Sequence, residues 1–176
     1  METAHRASGG EGGVLGQGAA VQAPEWTVTR WFNSAPLTLH GLRGRVILLE
    51  VFQMLCPGCL QHSLPQAVRL DRALRGDRVV TVGLHSVFEN HTEMTPAHLG
   101  GFLAQSRITF PVAVDAHRWD GEIESPVTFD RYRMKGTPTT ILIDQDGMIR
   151  FHEFGRFDDG TVTGLIRRLL PPSPRG

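Results

Sequence analysis

The seven residues Val46-Ile47-Leu48-Leu49-Glu50-Val51-Phe52 run almost directly into Cys56-Pro57-Gly58-Cys59, and that junction constrains the fold more than any other stretch. VILLEVF is short, apolar and rich in β-branched and aromatic residues, the pattern of a strand covered on both faces. The segment LQHSLPQAVRLDRALRG that follows the second cysteine reads as a helix. Leu64, Val68 and Leu70 fall near helical spacing, Pro65 should kink the helix, and Gly76 should stop it. Both cysteines of the chain therefore lie where a buried strand gives way to a helix.

Two cysteines are too few for a disulfide scaffold, so the pair reads as chemistry or metal binding before architecture. A cysteine at a helix N-terminus meets unpaired backbone N–H groups and the positive end of the helix dipole, both of which favour thiolate. Cys56 would hold that position, and Pro57 is tolerated there because its missing N–H has no partner to lose. Cys59, three residues on, falls on the same helical face and within disulfide distance. A nucleophilic thiol with a resolving thiol is what exchange through a mixed disulfide requires. Two other readings stay open. The thiols could simply pack as reduced side chains, or Cys56, Cys59 and His62 could offer three metal ligands, although no further Cys or His pair completes a tetrahedral set. Leu60 stands where a c-type haem attachment needs histidine.

Glu50 is the one acid in the strand. By alternation it shares a face with Val46, Leu48 and Phe52, which predicts burial, and a buried acid has a raised pKa and can exchange protons near neutrality. Farther on, Val79–Leu84 and Phe110–Val114 read as strands, and Thr95-Pro96 opens a helix through Gln105 with Thr95 as N-cap. Residues 116–126 read as loop, and Val127–Met134 as a helical turn or two. TTILID and MIRFHEF flank Gln145-Asp146-Gly147, a hairpin signal. Asp158 can cap a last helix carrying Val162, Leu165, Ile166 and Leu169. Strand–helix alternation followed by an antiparallel pair predicts an α/β fold with a mixed sheet.

Placed in this order, Leu42-Arg43-Gly44-Arg45, the CPGC turn, Tyr132-Arg133-Met134-Lys135-Gly136-Thr137-Pro138-Thr139, ILID and Asp146-Gly147 resemble the thioredoxin-like superfamily. The similarity is greatest to its TlpA/ResA-like redoxin branch, related to the AhpC/TSA proteins, and covers about residues 36–170. The resemblance implies a thioredoxin-like fold, a central mixed β-sheet flanked by helices, with a redoxin-type insertion around residues 85–110. It implies that Thr137-Pro138 is a cis-proline element facing the cysteines, which with Pro57 and Gly58 would border the substrate. It places Glu50 where relatives carry a buried acid beneath the second cysteine, able to take the proton of Cys59 through a water. There are departures: Leu55 replaces a frequent Trp, and Pro65 comes six rather than five residues after Cys59, which predicts a bulge or a shifted kink. Gln53 and Leu49 do not match the peroxiredoxin pattern.

The expected function is thus a thiol–disulfide oxidoreductase acting in the reducing direction. Its only redox group would be the Cys56–Cys59 pair, without cofactor or resident metal. A metal carrier using Cys56, Cys59 and His62 and a dithiol peroxidase with antioxidant activity are the alternatives. Expected partners are a protein or small-molecule disulfide and a thiol reductant or reductase. The 176 residues favour one domain, over 25–170. With Lys and Arg balancing Asp and Glu there is no global field for nucleic acid or an anionic membrane, and no run approaches the roughly 20 apolar residues of a membrane span. Residues 1–24 read as a flexible leader without a good signal core, 171–176 as a frayed tail, and the protein as cytoplasmic and a monomer or weak dimer. His62 reads as an exposed helical residue, and His85, His91 and His98 as surface or loop residues. Trp26, Trp31 and Phe32 should anchor the start of the fold, and Trp119 is either core or a partner contact.

Overall fold

The computed structural model describes residues 21–75, 78–119, 121 and 124–170. Gly76, most of the expected leader and the expected tail lie outside the described residues. The strand VILLEVF is β3, Val46–Phe52, and every residue in it is buried. It lies at the centre of a seven-stranded sheet of order β1-β9-β8-β3-β4-β5-β2. β3 pairs in parallel with β4 (Val79–His85) and antiparallel with β8 (Thr139–Ile143). β4 pairs in parallel with β5 (Val112–Asp115), and β8 forms the expected hairpin with β9 (Met148–Phe154). The mixed sheet is therefore as expected.

Alternation along β3 divides the core. Ile47, Leu49 and Val51 face a cluster with Trp26, Leu39, Leu42, Tyr132 and Met134. Val46 and Leu48 face the opposite layer, built from α1 (Leu64–Ala73) and α4 (Asp159–Leu169) through Leu70, Val162 and Ile166, with Leu74 at the C-cap of α1. Phe52 joins Cys59, Leu64, Leu99 and Leu103, the last two from α2 (Pro96–Gln105). Glu50 is thus placed on the helix-covered face, in register between Leu48 and Phe52.

Local rules hold at the caps. Thr95 accepts the His98 N–H with Pro96 in the first helical turn, and Asp158 accepts the Thr161 N–H at 2.9 Å. In the β8–β9 turn, Asp144 Oδ1 accepts the N–H groups of Asp146 and Met148. Gly147 takes φ +74° with the Arg43 guanidinium directly against it, so that a Cβ would collide with Arg43 Nη1.

Several expectations need correction. The leader does not run to residue 24: β1 (Val21–Gln22) pairs with β9 and Ala23 is buried, because β9 offers Ile149 and Met148 an otherwise unpaired edge. β2 (Val28–Phe32) is an edge strand antiparallel to β5, and Trp26, buried, meets Trp31 edge-on at 5.7 Å. Residues 116–126 are not all loop. β6 (His117–Trp119) and β7 (Glu124–Pro126) make a two-stranded ladder that leads into α3 (Val127–Arg131). Trp119 on it is 66% exposed, so it is not core. His85 is no surface residue: it ends β4 at 0% exposure.

Candidate active site

At the end of β3 the chain turns, with the Cys56 N–H bonded to the Gln53 carbonyl. The Cys56 carbonyl then accepts the Leu60 N–H at 3.0 Å, the first helical bond, so Cys56 is the N-cap and Pro57 and Gly58 are already helical. Cys59–Ser63 then forms a π-helical turn, with the Leu64 N–H reaching the Cys59 carbonyl, before α1 continues from Leu64. Pro65 explains its position, since a proline can donate no N–H to the preceding turn and the wider turn absorbs one extra residue ahead of it. This is the bulge that the late proline predicted.

The two thiols are unequal. Cys56 is half-buried and Cys59 is fully buried. The Cys59 N–H points to Cys56 Sγ at 3.4 Å, and Cys56 Sγ donates to the Thr137 carbonyl, also at 3.4 Å. Burial, and next the adjoining Cys56 thiol, push the Cys59 thiol well above the usual cysteine range. The Thr137–Pro138 peptide is cis. Its proline ring closes over the helix start, so a Cβ on Gly58 would come to 3.1 Å from Pro138 Cδ and 4.0 Å from Cys56 Sγ. Cys56, Pro57, Gly58, Cys59, Thr137 and Pro138, expected together, meet at one place.

Glu50 is 2% exposed. In register across β8, Thr140 donates to its Oε2 at 3.0 Å. Its Oε1 and the Ser63 hydroxyl are both buried without a hydrogen-bond partner of good geometry among the described residues. Burial pushes its carboxyl up to about 7, against a smaller lowering by the Ser63 and Thr140 hydroxyls. Ser63 reaches this neighbourhood from the π turn. The expected burial of Glu50 is found, and the acid lies in the layer beneath the helix that carries Cys59.

Two readings change. Cys56, Cys59 and His62 do not converge as a donor set, because among the described residues the one group of three potential ligands lies elsewhere. A π turn advances less per residue around the axis than an α turn, so residues three apart, such as Cys59 and His62, lie farther from a shared face. Gln53 was legible only as a departure from a peroxidase pattern. It is 1% exposed, and its amide donates to Thr137 Oγ1 and Glu89 Oε1, both at 3.4 Å, while accepting the Phe88 N–H. It ties the cis-proline loop to the segment after β4. Its position just after an apolar strand, where a polar side chain must find partners if buried, was the available sign.

No family model matches the chain. The curated relatives named protein DipZ, from Mycobacterium bovis and Mycobacterium tuberculosis, are each 28% identical over 152 residues, 85% of this chain, and the chain spans about a fifth of their length. A crystal structure of a thioredoxin-like superfamily protein is 44% identical, with a TM-score of 0.81 over 89% of this chain and 100% of that one. A thiol-disulfide isomerase from Corynebacterium glutamicum is also 44% identical, with a TM-score of 0.79 over 86% and 98%. With that identity over nearly the whole of two solved chains, and with this sheet, the chain belongs to the thioredoxin-like superfamily and to its thiol–disulfide oxidoreductases.

Proposed function

We propose that this chain reduces disulfides of protein or small-molecule substrates through the Cys56–Cys59 dithiol. The observation that carries this reading is the asymmetry of the pair: one thiol reachable at a helix start beside a cis-proline, the other buried behind it. The Cys56 thiolate attacks one substrate sulfur, the substrate S–S bond breaks, and the departing sulfur leaves as a thiolate that takes up a proton. Cys59 then gives its proton to the Glu50 carboxylate, through a water, and attacks Cys56 Sγ. The mixed disulfide breaks, the second substrate thiol is released, and two electrons have passed to the substrate. An external thiol reductant or reductase restores the dithiol.

Burial of Cys59 makes a base necessary, since its thiol is pushed up. Glu50, at about 7, is half-ionised at neutral pH and can accept that proton. The reducing direction is the expectation for a reducing compartment such as the cytoplasm, and the reduction potential of the pair decides it. Leu55, 51% exposed beside Cys56, and the exposed Phe154, whose ring lies against Gly136, give the site apolar edges suited to a peptide. Thr137 backbone groups could then pair with the peptide in strand fashion.

The test is insulin-disulfide reduction with dithiothreitol, together with the reduction potential of the pair. We expect Cys56→Ser to fall to background and the potential to lie below about −220 mV. Wild-type activity in Cys56→Ser would remove the nucleophile assignment, and a potential near −120 mV would reverse the direction.

A further inference from the structure

His91, His117 and Glu124 lie outside the dithiol site and take no part in its chemistry. One potential donor atom from each falls within 4.8 Å of the other two, and among the described residues no other three His, Cys, Asp or Glu side chains do so. We propose that these three residues bind a divalent transition-metal ion of the zinc class, through two imidazole nitrogens and one carboxylate oxygen.

The supports of the site come from separate elements. His117 and Glu124 are diagonal neighbours on one face of the β6–β7 ladder, in which His117 is paired with Pro126 and Trp119 with Glu124. That ladder is held at its base by Asp115, whose carboxylate accepts the Thr128 and Phe129 N–H groups at 2.8 and 2.9 Å, and by the Val127 N–H bonded to the Ala116 carbonyl. His91 comes from the segment after β4, in a turn closed by the Glu93 and Met94 N–H groups on the Asn90 carbonyl. Its ring meets His117 edge-on at 5.6 Å.

The chemistry of each group suits a ligand. His117 Nε2 lies 2.6 Å from the Val87 carbonyl, a contact only an N–H can make well. With the Nε2 proton given to that carbonyl, Nδ1 is the nitrogen left to meet a metal. A ligating histidine whose other nitrogen is tied to a backbone carbonyl is the usual outer-shell arrangement. Two imidazoles and a carboxylate with one position left to water form a common zinc set, and imidazole also suits copper and nickel. Ligand atoms around tetrahedral zinc are roughly 3.4 Å apart, from bonds of about 2.0–2.1 Å. A separation of 4.8 Å or less therefore closes by side-chain rotation.

Occupancy would tie the segment after β4 to the β6–β7 ladder. That segment also carries Phe88 and Glu89, which meet Gln53 beside the dithiol.

The experiment must exclude the thiolates as ligands, so it uses the full chain oxidised to the Cys56–Cys59 disulfide, with free thiol content measured. Zn2+ is titrated calorimetrically, and Co2+ is followed by absorption. We expect one equivalent of Zn2+, at least a tenfold loss of affinity in both His91→Ala and Glu124→Gln, and Co2+ bands without thiolate charge transfer. These two variants are preferred to His117→Ala, which also removes the contact with Val87. The proposal is overturned if the oxidised protein shows no saturable Zn2+ binding or if both variants bind as the wild type does.

Discussion

Glu50 shows how far one side chain can be argued. Its neighbours on the strand face are buried hydrophobics, its one bonded oxygen takes the Thr140 hydroxyl, and its carboxyl is raised to about 7 by burial. As a base it must be ionised, so resolution of the mixed disulfide should accelerate as pH rises through about 7 and then level off. Glu50→Gln keeps the shape but cannot take the proton. Stopped-flow resolution should then slow by roughly a hundredfold near neutrality and lose the inflection near 7, the lower end of what a positioned base supplies. A retained inflection would assign it to another group. The burial of Glu50 was legible from strand alternation alone. The role of Gln53 was not, because its partners Glu89 and Thr137 are 36 and 84 residues away.

At the scale of elements, the helix start is shaped against the cis-proline loop. Gly58 has φ −63°, so alanine suits its backbone, yet an added Cβ would press on the rigid Pro138 ring at 3.1 Å. Gly58→Ala should therefore leave the melting temperature within a few degrees while lowering kcat/KM for peptide disulfides about tenfold, through misplacement of the loop that borders the substrate. An unchanged kcat/KM would mean that the approach of Gly58 to Pro138 has no functional weight. Elements with strong local rules were legible: Thr95-Pro96 opened α2, Asp146-Gly147 turned the hairpin, and the late Pro65 marked a bulge that became the π turn. The short strands β1, β2, β6 and β7 were not. Two to five residues carry too little periodicity, and their pairing is decided by the edges that β9 and β5 present and by the anchoring of Asp115. The same reason hid the meeting of His91, His117 and Glu124, which no spacing in the sequence announces.

For the whole molecule, two buried groups set opposing pH dependences of stability. The folded state holds the Glu50 proton from the ordinary value of 4.5 up to about 7, so this group makes stability fall as pH rises through that window, by roughly 3 kcal/mol. His85 stays neutral down to about 4 rather than 6.5, so its contribution falls as pH drops, by a similar amount. Between about 4.5 and 6.5 the two slopes offset, and wild-type stability hides both. Comparing Glu50→Gln with wild type isolates one of them. In urea unfolding the difference should be near its minimum at pH 4.5 and should grow to roughly 3 kcal/mol in favour of Glu50→Gln by pH 8. A pH-independent offset would contradict desolvation as the cause of the raised pKa.

The central claim, that Cys56 attacks and Cys59 resolves, is tested most directly by trapping the intermediate. Cys59→Ser is mixed with a peptide disulfide, and the adduct is located by mass spectrometry after digestion. The account predicts a stable one-to-one mixed disulfide on Cys56, and none in Cys56→Ser treated alike. A mixed disulfide on Cys59 in Cys56→Ser, formed as fast as the first, would contradict it.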